Sequence, residues 1–196
     1  QYILDMSEGV FTCGGNQLWL DGKLSYNHEF KPEEDLINFL KEKLSNSPYP
    51  VRAGNHIEDR GSMLNFSIVG RDCSLEERLE YFEYDVQSNE RSIISDEIIN
   101  KWSNLDAVIG GQISIDITPK GMNKSQVLSE VKKFYSDARY IFIGDRTMKG
   151  GNDYPLAKIM NEQENCTVFQ AGAPSAEDGY KDTKIILEKL DIDEEI

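Results

Sequence analysis

Two aspartates follow an apolar segment in the last third of the chain. Residues 140–153 read YIFIGDRTMKGGND, so that Asp145 ends the apolar run and Asp153 follows the pair Gly150-Gly151. In an open α/β sheet, ligands bind beyond the carboxyl ends of the strands. Mg²⁺ is usually held by one or two carboxylates together with phosphate oxygens, and glycine lets other backbone approach closely. The pattern therefore indicates either a magnesium site or an acidic turn that caps the next helix.

Three arginines lie around the predicted start of a helix. Arg71 precedes Ser74, which has the spacing of a capping box with Glu77, and Arg78 lies one turn inside that helix. Arg60 lies on the preceding strand. A helix N-terminus favours an anion, and an arginine can bind phosphate through two hydrogen bonds. Surface ion pairs are the alternative, because the segment also carries Glu58, Asp59, Asp72, Glu76 and Glu77.

The segment ISID has one polar and one apolar face. Ser114 and Asp116 alternate with isoleucines, and alternate residues of a strand lie on opposite faces of the sheet. A hydroxyl and a carboxylate two positions apart can hydrogen-bond to sugar hydroxyls, although a solvated face is the simpler interpretation. Lys124 begins the next helix, where its charge would either neutralise a phosphoryl group or lie in solvent.

The elements that position these residues are read from apolar periodicity and turn residues. The segment LWLDGKLSY, residues 18–26, predicts a hairpin around Asp21-Gly22. Helices are predicted at residues 32–44, 73–85, 96–102, 123–135 and 175–190. Strands are predicted at residues 56–59, 62–70, 107–119, 140–144 and 166–172.

The order of these elements divides the chain in two. Residues 26–121 have antiparallel character. From residue 123 the chain alternates helix, strand, loop, strand and helix, which favours parallel strands joined by crossover connections. The segment ITPKGMN, residues 117–123, is the predicted hinge.

Composition narrows the classes of function. With 196 residues the chain can form one large domain or two small ones, and its net charge of −14 argues against nucleic acid or an anionic membrane surface as a partner. It contains no apolar run long enough to cross a membrane. Three scattered cysteines without metal-ligand spacing predict free thiols in a reducing compartment. We therefore expect a cytoplasmic protein.

Three segments together closely resemble the eukaryotic-type phosphomannomutases of the haloacid dehalogenase superfamily: EDRGSMLNFSIVGRDCSLEERLEYFEYD, IGGQISIDITPKGMNKSQVL and IFIGDRTMKGGNDYPL. The resemblance implies an α/β fold, with a haloacid-dehalogenase-like Rossmannoid core that is incomplete at its N-terminus and an inserted α+β cap domain. The core would comprise residues 1–25 and 122–196, and the cap residues 26–121.

The resemblance also implies a reaction. The family interconverts mannose 6-phosphate and mannose 1-phosphate, which supplies GDP-mannose synthesis, and it uses Mg²⁺ and a hexose 1,6-bisphosphate activator. Its members form homodimers through the cap, so the same assembly is expected here.

Roles follow position by position from the same resemblance. Substrate binding falls to Arg60, Arg71, Arg78, Ser114 and Asp116, catalysis to Lys124, and metal binding to Asp145 and Asp153. Two departures stand out. Asn123 replaces an aspartate that is usual in the family, and residues 154–165 differ from the segment that holds a second, structural cation in relatives.

The family's nucleophile segment, Asp-x-Asp-Gly-Thr, has no counterpart in this amino-acid sequence. In the family its first aspartate attacks the phosphoryl group and its second acts as general acid and base. The sole Asp-x-Asp here is Asp191-Ile-Asp193, which we interpret as a solvated tail. We expect either a fragment of a longer enzyme, as the start at Gln1 suggests, or a naturally shortened relative. The shortened relative would bind a sugar phosphate without chemistry, or only dimerise.

Overall fold

The computed structural model describes residues 7–172 and 176–190. The chain forms two compact units, Gln1–Asn123 and Lys124–Ile196. The prediction that residues 1–25 belong with residues 122–196 in one domain remains a prediction.

The first unit begins with a three-stranded antiparallel sheet, β1-β2-β3. Its strands are β1 (Gly9–Thr12), β2 (Gln17–Leu20) and β3 (Lys23–Asn27), and a short 3-10 helix, Cys13–Gly15, links the first two. Asp21 and Gly22 have φ of 49° and 69°, the left-handed conformation that a two-residue hairpin requires. The predicted hairpin is therefore confirmed.

A four-stranded antiparallel sheet with the order β4-β5-β7-β6 forms the rest of this unit. Its strands are β4 (Ile57–Asp59), β5 (Leu64–Phe66), β6 (Leu105–Gly110) and β7 (Ser114–Pro119). Its helices are α1 (Glu34–Asn46), α2 (Leu75–Ser88) and α3 (Glu90–Lys101). The antiparallel character predicted for the middle of the chain is confirmed.

Three boundaries differ from the sequence prediction. The single strand expected at residues 107–119 is two strands joined by a turn, because Gly111 adopts φ of 50° and Gly110 pairs with Ser114. The strand expected at residues 62–70 is paired only over β5. The helix expected at residues 96–102 already starts at Glu90, directly after Asn89 in the left-handed conformation.

The apolar core lies between one face of this sheet and the helices. Ile115 and Ile117 of β7 are 1% and 0% exposed, and Leu40 of α1 is 0% exposed. The same cluster includes Tyr81 of α2 and Ile98 of α3. The alternation predicted for ISID is therefore confirmed, and the sheet's other face carries the polar side chains.

The second unit contains two parallel strands with helices around them. It comprises α4 (Gln126–Phe134), β8 (Tyr140–Gly144), α5 (Tyr154–Asn161), β9 (Cys166–Gln170) and α6 (Ala176–Lys189), and β8 pairs with β9 in parallel. The predicted parallel layout is confirmed. The loop expected between the strands is wrong, because it contains α5, whose first turn includes Pro155, a position that favours proline.

Two further observations concern the cysteines and the helices. Cys13, Cys73 and Cys166 are free thiols. Within the described residues, every helix is too short or too polar to span a bilayer.

Candidate functional site

Two arginines share one carboxylate at the edge of the four-stranded sheet. Arg60 Nε and Nη2 donate to Glu58 Oε2 at 2.8 and 2.5 Å, and Arg71 Nε lies 3.9 Å from the same oxygen. Glu58 belongs to β4, the edge strand, and both arginine side chains are 32% exposed. Two guanidinium groups against one carboxylate leave this trio with a net positive charge that solvent and ligands can reach.

A glycine places Arg71. Gly70 has φ of +94°, and a Cβ there would lie 2.0 Å from the carbonyl oxygen of Ala53. The amide of Arg71 donates to Asn55 O at 2.9 Å, so the same two backbone segments are also joined at the next residue. Only glycine fits this backbone approach, so the turn holds Arg71 beside Glu58.

Arg78 lies in the first turns of α2, outside the Glu58 trio. The predicted capping box at the start of this helix is confirmed, with Glu77 N donating to Ser74 Oγ and Ser74 N donating to Glu77 Oε2. Arg78 is half-buried, and no carboxylate in the described part of the chain pairs with it. Its charge is therefore available to an anion.

A polar row crosses the sheet face opposite the core. Glu58 of β4, Asn65 of β5 and Asp116 of β7 lie directly opposite one another in register. Asn65 Nδ2 donates to Asp116 Oδ1 at 2.6 Å. The arginines meet the outer end of this row at Glu58, so cationic side chains adjoin hydrogen-bonding side chains at one face of the sheet.

Ser114 lies at the start of β7, on the same face as Asp116. It is buried, and its hydroxyl donates to Gly110 O at 3.0 Å, which leaves the oxygen able to accept a hydrogen bond. Arg91 holds this turn from inside, because its Nη1 donates to the carbonyl oxygens of Gly111 and Ser114 at 3.2 and 3.3 Å. Arg91 Nε donates in turn to Asp85 Oδ2 at 2.8 Å.

The second unit brings Lys124 and Asp153 together. Lys124 Nζ donates to Asp153 Oδ1, and the amide of Arg146 donates to Asp153 Oδ2 at 3.1 Å. Asp153 is 2% exposed, whereas the Lys124 side chain is 33% exposed. The buried carboxylate thus holds the ammonium group beside the loop that follows β8.

Oxygen ligands for a cation lie in that loop. Asp145 is exposed, and its carboxylate has no partner among the described residues. The amide oxygen of Asn152 is buried without a hydrogen-bond donor. A Cβ on Gly151 would lie 2.1 Å from Arg146 O, so the predicted close backbone approach at the glycine pair is confirmed.

These oxygen atoms suit a hard cation that takes few protein ligands. Magnesium commonly keeps water and phosphate oxygens in its coordination sphere, so it needs only one or two protein ligands, and this loop contains an exposed carboxylate and a buried amide oxygen for which the described residues supply no donor. Groups of three or more metal-binding side chains are absent from the described part of the chain. The assignment of Asp145 and Asp153 as metal ligands remains a prediction.

The structure thus arranges the predicted residues in two groups, one in each unit. Sequence reasoning treated Glu58 only as a competing charge, and it missed Asn65 and Arg91. Asn65 carried one usable signal, since it lies between apolar residues in the same alternation that marks Asp116. The buried pairing of Arg91 with Asp85 left no such signal.

Comparison with solved structures concerns the fold. The N-terminally truncated IMP-nucleotidase of Plasmodium falciparum matches 90% of this chain with a TM-score of 0.50, at 17% sequence identity and over 48% of its own length. Its IMP-bound form matches with the same TM-score at 16% identity. The fold class is α/β of the haloacid dehalogenase type, as predicted.

Sequence comparison identifies the family. The family model described as eukaryotic phosphomannomutase matches residues 23–189. A phosphomannomutase of Encephalitozoon cuniculi is 37% identical over 96% of this chain and 74% of its own length. Those of Dendrobium officinale and Arabidopsis thaliana are 38% and 39% identical, and the chain spans 60% and 50% of their lengths. This chain belongs to the eukaryotic phosphomannomutase family.

Proposed function

We propose that this protein serves in phosphomannomutase activity, the interconversion of mannose 6-phosphate and mannose 1-phosphate for GDP-mannose supply. The observation that carries the proposal is the sheet face on which two arginines adjoin the row of Glu58, Asn65 and Asp116. Family membership supports the same reaction.

In this proposal the first unit binds the sugar phosphate. The phosphate lies against Arg60, Arg71 and Arg78, whose planar guanidinium groups match phosphate oxygens. Asp116 accepts from sugar hydroxyls, and Ser114 accepts through the oxygen that its donated bond to Gly110 leaves available. Binding the phosphate at either end of the hexose would present the other end for reaction.

The second unit serves the phosphoryl group. Lys124, held by Asp153, offsets the negative charge of the group in transfer, which is where such charge lowers a barrier most. Asp145 and Asp153 would hold Mg²⁺, which supplies electrostatic stabilisation of the phosphoryl oxygens. A hexose 1,6-bisphosphate serves as activator by supplying the phosphoryl group that primes the enzyme.

The proposed transfer needs a nucleophile and an acid that the described residues do not supply. A carboxylate forms a bond to phosphorus as the bond from phosphorus to the sugar oxygen breaks, and an acid protonates that oxygen. Asp191 and Asp193, the sole Asp-x-Asp pair, lie outside the described residues. We assign the nucleophile to a segment outside the given chain.

We also propose a homodimer formed through the unit that carries the arginines. Exposed apolar side chains along α2 support it: Leu75, Leu79 and Val86 are 78%, 52% and 63% exposed. Sedimentation equilibrium of the chain should show a dimer, and Leu79→Glu should yield monomers. A monomeric unsubstituted chain would refute this assembly.

Calorimetric titration with mannose 6-phosphate tests the binding step. The chain should bind it saturably, and Arg71→Ala should weaken binding at least tenfold because it removes one charged, hydrogen-bonding group. Lys31→Ala is the matched control, since it removes the same charge from a side chain that is 90% exposed in the same unit. Absence of saturable binding to the unsubstituted chain would end the proposal.

Activity separates the enzyme from its alternative, an inactive sugar-phosphate-binding relative. The intact arginine group favours binding in either case. The full-length gene product, assayed with mannose 1-phosphate, Mg²⁺ and a hexose 1,6-bisphosphate, should form mannose 6-phosphate. Binding without turnover by that product would establish the alternative.

A further inference from the structure

Asn65 is the buried centre of the polar row. It is 2% exposed, and its neighbours Leu64 and Phe66 are 0% and 1% exposed on the core side of β5. Because β5 lies between β4 and β7, the Asn65 side chain is held directly opposite Asp116. In this position its Nδ2 donates to Asp116 Oδ1 at 2.6 Å.

The Asn65 amide is oriented so that its nitrogen donates to Asp116, while its oxygen has no hydrogen-bond donor in the part of the chain that the structure describes. Asn65 Oδ1 is buried and lacks a donor within the described residues. Turning the amide over would place that oxygen against the Asp116 carboxylate, where two acceptors repel. A buried acceptor without a partner costs free energy, and native proteins retain such costs mainly at functional sites.

Gly110 accommodates the other side of the same carboxylate. A Cβ on Gly110 would lie 2.6 Å from Asp116 Oδ2. One oxygen of the carboxylate is therefore held from β5, and the other lies close to the glycine of β6. Two neighbouring strands thus define the orientation of Asp116.

We propose that Asn65 is a positioning residue that fixes the Asp116 carboxylate for a sugar hydroxyl, and thereby gives the site its preference for hexose phosphates over inorganic phosphate. The inference rests on the proposed function, in which Asp116 binds the sugar. It goes further by assigning sugar selectivity to a side chain that the ligand does not need to touch.

Paired titrations of the 196-residue chain test the inference. Mannose 6-phosphate uses both the arginines and Asp116, whereas inorganic phosphate uses only the arginines. Asn65→Leu should raise the Kd for mannose 6-phosphate about tenfold, because an Asp116 carboxylate that is no longer held in place loses most of its hydrogen bond to the sugar. The Kd for inorganic phosphate should change less than twofold.

Ser95→Ala is the matched control. It removes a different buried hydrogen bond, from Ser95 Oγ to Ala107 O at 2.6 Å, on the helix side of the same sheet. It should lower stability while leaving both Kd values unchanged. If tryptophan fluorescence shows that Asn65→Leu does not fold, Asn65→Ala is titrated in its place with the same expectation.

The outcomes separate this inference from the proposed function. If the unsubstituted chain fails to bind mannose 6-phosphate, the proposed function and this inference both fall. If it binds and the Asn65 variants keep the same ratio of the two Kd values, only the inference is wrong. Such a result includes equal weakening of both ligands, which would indicate general damage to the sheet.

Discussion

Breaking the buried ion pair of Asp85 and Arg91 should strongly destabilise the first unit. Arg91 is 3% exposed and Asp85 is 6% exposed. Asp85 Oδ1 accepts from the amide of Arg91 and Oδ2 from its Nε, both at 2.8 Å. Replacing Arg91 by methionine keeps most of the side-chain volume but leaves the Asp85 carboxylate buried with one backbone donor.

The magnitude follows from the charge that remains. Breaking a buried, hydrogen-bonded pair by removing one partner costs about 3–5 kcal/mol, against a typical domain stability of about 5–15 kcal/mol. Arg91→Met also removes the donors to Gly111 O and Ser114 O, so we expect the upper part of that range. The double variant Asp85→Leu, Arg91→Met leaves no buried charge and should lose less than the sum of the single variants by at least about 2 kcal/mol.

Urea unfolding followed by tryptophan fluorescence measures these free energies for one unit. The chain has two tryptophans, Trp19 and Trp102, and both lie in the first unit. Lys31→Met, in the exposed pair with Glu29, is the control and should leave the midpoint unchanged. A loss below about 1 kcal/mol for Arg91→Met, or strict additivity in the double variant, would refute the reasoning.

Three further predictions concern single side chains. Burial raises the pKa of Tyr81 above 10, so the unfolded chain loses this proton first and the free energy of unfolding falls as pH rises above about 10. Tyr81→Phe should reduce that fall by up to about 1.4 kcal/mol per pH unit in urea titrations. An unchanged slope would contradict this prediction. Gly70→Ala should lower the free energy of unfolding of the first unit by at least about 1–3 kcal/mol, because position 70 has a positive φ and the new Cβ would collide with Ala53. A decrease of less than about 0.5 kcal/mol would contradict this prediction. Gly110→Ala should displace Asp116 and weaken mannose 6-phosphate more than inorganic phosphate in calorimetry, and equal effects would disprove the role of this glycine.

Local signals in the sequence were reliable wherever neighbouring residues decide the structure. The Asp21-Gly22 turn, the capping box of Ser74 with Glu77, and the alternation in ISID all depend on residues a few positions apart, and all three are confirmed. The strand at residues 140–144 followed from its continuous apolar run.

The sequence prediction was wrong where two local signals conflicted, or where an element was too short to give a clear signal. The apolar residues on both sides of Gly110 and Gly111 suggested one strand, although a glycine pair is also a turn signal. The helix α5 has only eight residues, too few for its periodicity to stand out, and its early proline was the usable indication.

The polar contacts between distant positions of the candidate site could not be predicted. Asn65 and Asp116 are 51 positions apart, and Lys124 and Asp153 are 29 apart. Such pairs depend on strand order and register, which a single sequence does not specify. The resemblance to a family drew attention to Asp116 and Lys124, but it did not indicate which side chains hold them.

The carboxylate shared by Arg60 and Arg71 has a consequence for competition among anions. Glu58 is tethered a few bonds from its partners, so its effective local concentration is far above that of any dissolved ion. Chloride, which offers only charge, must displace Glu58 to occupy the arginines. Under the proposed function, a hexose phosphate would gain hydroxyl contacts along the row as well, and would therefore compete better than simple salts for the arginines.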